Sequence, residues 1–198
     1  MMLIEETTVP QAVLPIAGLR SHLRLGSGFA EDSLQDGLLE GFLRAALAGI
    51  EARTGKALIA RDFTWTVERW NGAGQGLPIA PVSAISQLSM VGRDGLPTVV
   101  EPCKYRLVQD AVRPVLAPMG TCLPTIPHGG HAELKLTAGM SPDWGNLPAD
   151  LAQAVMLLAA HYYEYRDETS LGRGCMPFGV TSLIERYRPL RIGLGAEQ

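Results

Sequence analysis

The run AVMLLAAHYYEYRDE at 154–168 gathers a histidine, three tyrosines, two glutamates, an aspartate and an arginine into its last eight residues. His161 and Glu164 stand three apart, so on a helix they share one face. A histidine and a carboxylate so placed are the pieces of a metal site or of an acid–base pair. A zinc site uses three or four protein ligands. The chain has no HExxH, and His22, His128 and His131 lie in other segments, so two further ligands would have to come from the HGGH stretch at 128–131. The competing reading is structural. Tyrosines pair an apolar body with a polar tip, which suits the place where a helix leaves a core. Glu164 and Arg166, two apart, face different ways and must find partners elsewhere. On this reading His161, Tyr162, Tyr163, Glu164 and Arg166 form the end of a core helix or a contact between subunits, and this is the reading the sequence favours.

Other motifs carry less chemistry. GAGQG at 72–76 lacks the GxxxxGK[ST] pattern of a phosphate loop and precedes no helix. GMSPD lacks the GxSxG of a nucleophile elbow. Asp143 and Trp144 in SPDWGNLP read as a turn leading into a helix. Cys103, Cys122 and Cys175 are widely spaced, form no CxxC pair and are odd in number, which describes reduced thiols better than a disulfide framework. Trp65, Trp70 and Trp144 could offer stacking faces to a sugar or another ligand. No catalytic residue, metal ligand or cofactor is assigned.

The elements that must position these residues can be read from periodicity. The 198-residue chain is 46% hydrophobic and 19% charged, enough apolar material for a real core. Its net charge of −3 argues against tight DNA or RNA binding. No run approaches the roughly 20 apolar residues of a membrane span, and MMLIEETTVPQ has no basic stretch of a secretory signal. Residues 1–14 show no period and are expected to be an extended, flexible arm, as is the tail at 191–198. Pro15 opens a short helix with Ile16, Leu19 and Leu23 on one face. A longer helix spans 31–54, with Leu34, Leu38, Phe42, Ala45 and Gly49 in one stripe and Leu39, Leu43, Ala46 and Ile50 in another. An apolar face that wide implies contacts on two sides, and Gly55 is placed to stop the helix.

From 57 to about 140 the period falls to two. Phe63, Trp65 and Val67 alternate with Thr64, Thr66 and Glu68. RDG at 93–95 reads as a hairpin turn, and further strands are expected at 105–108, 112–116 and 132–137, with 118–131 as loop. Helix returns at Pro148, where Leu151, Ala154, Val155, Leu158, Tyr162 and Tyr165 keep helical spacing, and a last short helix carries Val180, Leu183, Ile184 and Tyr187. The fold class is therefore α+β: a small bundle of two N-terminal and two C-terminal helices (15–56 and 147–190) with an inserted antiparallel β block (57–146).

The order of these pieces resembles the head–tail connector, or adaptor, proteins of long-tailed phages and gene transfer agents. The resemblance runs from Leu23 to Ile192. It rests on HLRLGSGFAEDSLQDGLL, IEARTGKAL, LPIAPVSAI followed by RDG and KYRL, and MPFGVTSLIERYRPLRI. The most specific marker is the aGxxxxWxxxP…HxYExR run within 138–166. The chain departs from the pattern in the length of its Pro/Gly-rich stretch between Pro118 and His131. The resemblance implies a structural protein with no catalytic residues. Such proteins form a ring, usually of twelve subunits, beneath the portal protein. The ring extends the channel through which DNA passes unspecifically, and it docks tail or stopper proteins. Assembly in the host cytoplasm and a place in the virion or gene transfer agent particle follow from the same resemblance. Arg186, Arg188, Arg191 and Ile192 are the expected portal contacts. Two other readings stay open: a stopper or tail-completion protein one ring further down, and a small metal-dependent hydrolase built on His161, Glu164 and the HGGH stretch.

Overall fold

In a computed structural model, residues 2–25, 32–72, 74–166 and 176–188 are described. The chain divides into two compact units. One holds Met1–Leu14 and Lys56–Leu147, the other Pro15–Gly55 and Pro148–Gln198.

The first unit is β. A five-stranded antiparallel sheet takes the order β1 (Met2–Glu5), β2 (Arg61–Val67), β8 (His131–Ala138), β4 (Val82–Val91), β5 (Pro97–Val99). A three-stranded sheet takes the order β3 (Gln75–Gly76), β7 (Val115–Pro118), β6 (Tyr105–Val108). β8 shows why the sequence folds this way. Ala132, Leu134, Leu136 and Ala138 are buried while Lys135 between them is exposed, so its period of two puts a complete apolar set on one face. That set joins Phe63, Trp65, Leu88 and, from the smaller sheet, Tyr105 and Leu116 in one core. Each side chain of Leu size buried there contributes about 1.5–3 kcal/mol.

Several expectations change on contact with the structure. The N-terminal segment is not a free arm: Met2–Glu5 pairs with β2 from Met2 opposite Thr66 to Glu5 opposite Phe63. Its neighbour supplies the hydrogen bonds, and Arg61 of β2, with a side chain 7% exposed, holds Nε 2.9 Å from Glu5 Oε1 and donates from Nη2 to Oε2 at 3.1 Å. Thr64, expected on the solvent side, is buried. The strand expected at 112–116 begins at Val115, because Asp110 Oδ1 accepts from the backbone N–H of Val112 (2.7 Å) and of Arg113 (2.6 Å) and closes a turn there. The 118–131 stretch is strapped to the core rather than loose: Leu123 is buried, Ile126 packs beside it, and Trp70 Nε1 donates to the Pro124 carbonyl at 2.7 Å.

The second unit is helical: α1 (Ile16–His22), α2 (Asp32–Thr54), α3 (Ala149–Glu164) and α4 (Phe178–Ile184). α2 buries Leu39, Leu43, Ala46, Leu47 and Ile50, and α3 buries Leu151, Ala154, Val155 and Leu158, the i, i+3, i+4, i+7 spacing of one helical face. The two meet at Gly49, where an added Cβ would lie in ordinary van der Waals contact with the Tyr162 hydroxyl at 3.4 Å and Leu158 at 3.5 Å. Gly55 follows α2 at φ +66°, the left-handed conformation that ends a helix. Among the described residues no helix is long and apolar enough to cross a membrane.

Candidate functional site

The segment with the most chemical potential ends α3. His161 is half-buried, its ring centroid 4.6 Å from that of Tyr165 and 6.3 Å from that of Tyr162. Its Nε2 is buried and has no hydrogen-bond partner, while Glu164 is exposed. The pair shares a helix face, but nothing completes a metal site: among the described residues no three His, Cys, Asp or Glu side chains gather to hold an ion. Instead the aromatic rings organise the end of the helix. Tyr163 meets Phe42 of α2 edge-on at 6.0 Å, and the Arg166 guanidinium lies 5.0 Å from the Tyr163 centroid. Tyr162, Tyr163 and Arg166 are thus side chains of a helix-packing junction.

The HGGH stretch belongs to the other unit and makes a tight turn. Gly129 sits at φ +73°, and a Cβ on Gly130 would stand 2.1 Å from the Val91 carbonyl oxygen, so only glycine lets the chain pass there into β8. His131 then pairs opposite Val91. A shallow cavity of about 430 Å³ opens beside it, lined by Met2, Thr66, Glu68, Gly129, Gly130 and His131.

The tryptophans divide by environment. Trp65 is 1% exposed and belongs to the core, so it presents no stacking face. Trp70 is fixed by its bond to Pro124. Trp144 begins a 3-10 turn capped by Asp143, whose Oδ1 accepts from the Asn146 N–H at 3.0 Å. This is the turn that leads into α3, as the sequence indicates. Cys103 and Cys122 are exposed free thiols; Cys175 lies outside the described residues.

Lys56 is a charged group that sequence reasoning missed. It is buried, and Nζ donates to the Ala111 carbonyl. Burial holds its ammonium below the ordinary lysine value, with the nearby Asp110 carboxylate pulling the other way. Ala111 belongs to the β6–β7 turn, which Gln109 also ties to the Ser83 carbonyl at 2.9 Å. No pattern of neighbouring residues announces this contact, since its two ends lie far apart in the chain.

The expected portal-contacting arginines follow α4. Arg186 Nε pairs with Asp150 Oδ2 at 2.9 Å, and the Tyr187 hydroxyl donates to Asp150 Oδ1 at 2.9 Å. The Arg186 guanidinium also stacks 4.7 Å from the Tyr187 centroid. Burial raises the Tyr187 phenol above its ordinary value. Arg188 pairs with Glu185 at 3.1 Å. Asp150 thus ties the last helical turn to the start of α3. Arg191 and Ile192 lie outside the described residues.

No family model matches the sequence, and no curated protein matches it. Solved structures do. A chain in the neck of an empty gene transfer agent particle, computed with C6 symmetry, is 49% identical with a TM-score of 0.89, and the match covers 100% of both chains. A chain in the virion of a native gene transfer agent particle is also 49% identical, TM-score 0.86, over 98% of this chain and 99% of that one. A chain in the neck of a native particle, computed with C12 symmetry, is 46% identical, TM-score 0.85, again over 100% of both. With identity of this level over full length, and with the connector motifs on the residues described above, this chain belongs to the head–tail connector (adaptor) family of long-tailed phages and gene transfer agents, a family of structural particle proteins and not of enzymes.

Proposed function

We propose that this structural component of the particle neck is the adaptor: a ring of twelve subunits beneath the portal protein that extends the DNA channel and docks the tail. The observation that carries the reading is one of symmetry. One relative belongs to a neck computed with C12 symmetry and another to a neck computed with C6 symmetry. A twelve-fold ring obeys both operations, because every six-fold rotation is also a twelve-fold one. A six-fold ring obeys C6 alone. The stopper reading, one ring further down, shares the neck placement and differs in predicting binding to tail components rather than to the portal.

The charge balance agrees with a channel. Each phosphate neutralised by a protein cation adds salt-dependent grip, and a chain of net charge −3 lets DNA slide past. We place the portal contact in the segment that begins at Arg186 and runs through Arg188, Arg191 and Ile192. Assembly would take place in the host cytoplasm before the subunit becomes part of the particle.

Co-expression with the portal protein of the same genome, followed by electron microscopy of the purified complex, tests the reading. An added twelve-fold ring on the narrow end of the portal is the expected result. Two folded proteins that fail to associate would overturn the adaptor role in favour of the stopper.

A further inference from the structure

Among the described residues, the helical unit has two exposed apolar surfaces, one on α2 and one on α4. α3 packs against both α2 and α4, whereas α2 and α4 share no comparable contact, so α3 lies between them. On α2, successive residues turn by about 100°. From Gly37 to Ala52, the arc opposite the buried stripe spans about 140° and contains no charged residue. Leu38 in this arc is 46% exposed, and Gly41, Ala45, Ala48 and Ala52 are exposed with it. Phe42 borders the arc, fixed edge-on to Tyr163. The charges of α2 lie outside it, and Glu40 and Arg44 pair with each other at 2.8 Å. A helix face turned to water is normally polar; this one is not. On α4, Phe178 is 87% exposed, the most exposed large apolar side chain among the described residues.

A ring contact is heterologous: each subunit must present two different surfaces, one to each neighbour. Resting on the proposed ring, we infer that Phe178 of one subunit seats on the uncharged arc of α2 of the next, between Leu38 and Ala45. The partner is a second copy of this chain. The shapes suit each other, because an aromatic ring needs a shallow apolar bed. Gly41 supplies the floor of that bed, with nothing within 4 Å of where its Cβ would be, and Leu38 and Phe42 supply the walls. The placement also explains the wide apolar face of α2, of which only the inner part is covered within one subunit. Centrally placed aromatic anchors of this kind dominate the energetics of protein interfaces.

The test uses assembled particles, in which the chain is present whichever neck ring it builds. In a background with Cys103, Cys122 and Cys175 replaced by serine, Leu38→Cys and Ala45→Cys are each combined with Phe178→Cys and treated with a mild oxidant. A ladder of covalent multimers on non-reducing gels, absent from each single cysteine variant, is the expected result. Particles that contain the chain and yield only monomer from both pairs would overturn the inference. As a second measure, Ala45→Glu and Phe178→Glu should each lower incorporation into particles at least tenfold while leaving the unfolding midpoint of the isolated chain unchanged. Normal incorporation of both would overturn it too. Particles lacking even the unsubstituted chain would instead refute the neck reading on which the inference rests.

Discussion

Removing the Glu5 carboxylate isolates what holds the N-terminal strand in place. β1 is an edge strand whose Leu3 and Ile4 stay 37% and 41% exposed, so burial is only part of its attachment. It also rests on ladder bonds to β2, continued by the Glu6 N–H to the Asp62 carbonyl at 2.9 Å, and on the ion pair with Arg61. Breaking a fully buried pair costs about 3–5 kcal/mol, and an exposed pair is worth about 0.2–1 kcal/mol. Here the Arg61 side chain is 7% exposed and that of Glu5 39%, so solvent screens one partner. Arg61 also keeps its 3.1 Å bond to the Ile59 carbonyl and its place 5.0 Å from the Phe63 ring after the carboxylate is gone. Glu5→Gln should therefore cost about 1–2 kcal/mol, between those limits, and lower Tm by about 2–8 °C. The assay is a double-mutant cycle of Glu5→Gln and Arg61→Met in urea, with hydrogen exchange read at the β1 amides. Exchange at Glu6 should accelerate far more than exchange in β8. A coupling energy below about 0.3 kcal/mol, the level expected of independent sites, would refute the clasp, as would unchanged protection of β1.

Further outcomes follow from single substitutions and from one deletion. Gly139 has φ +154°, and a Cβ there would sit 2.2 Å from the Ala60 Cα, so Gly139→Ala should cost more than about 3 kcal/mol. Gly145→Ala, whose new atom would meet only the Asp143 carboxylate at 3.4 Å, should cost far less in the same urea titration. Lys56 has a folded pKa below its unfolded value of 10.5, so between the two the unfolded chain holds more protons. Stability should thus rise as pH climbs through that window and fall as pH drops through the lowered value, and Lys56→Met should flatten this dependence in urea titrations from neutral pH to above 10.5. Deleting 189–198 should abolish portal binding in pull-downs while barely moving Tm, because the Arg186–Asp150 pair remains; a large loss of stability would refute a docking role for the tail.

The legible parts of the fold were those with local causes. The stripe Leu39, Leu43, Ala46, Ile50 and the run Leu151 to Leu158 announce helices by spacing alone, and Gly55 announces where α2 ends. β8 announces itself by alternation. What escaped reading depends on partners distant in sequence. MLIE does not alternate, so only its pairing with β2 makes it a strand. Pro97–Val99 and Gln75–Gly76 are too short to carry a period. Leu123 and Ile126 look like loop residues until Trp70 reaches across to bind that loop. The two stripes of α2 were equally apolar in sequence, and nothing in the spacing told which would be covered.

Five charged side chains are occupied with geometry. Asp143 caps a turn, Asp150 ties Tyr187 and Arg186 to α3, Asp110 closes the β6–β7 turn, and Arg61 and Lys56 hold backbone in place. Catalysis needs a polar group left poised for a substrate, and each of these five already has a protein partner. The connector marker has the same character. Gly139 permits a close backbone approach, Trp144 starts the capped turn, and Tyr163 and Arg166 stack at the end of α3. Among the described residues of the helical unit, the outer arc of α2 and the ring of Phe178 are exposed and apolar. An apolar side chain facing water gains nothing alone and gains most when a neighbour covers it. A subunit with two exposed apolar surfaces on different helices has what a ring asks of its parts, a different face for each of two neighbours.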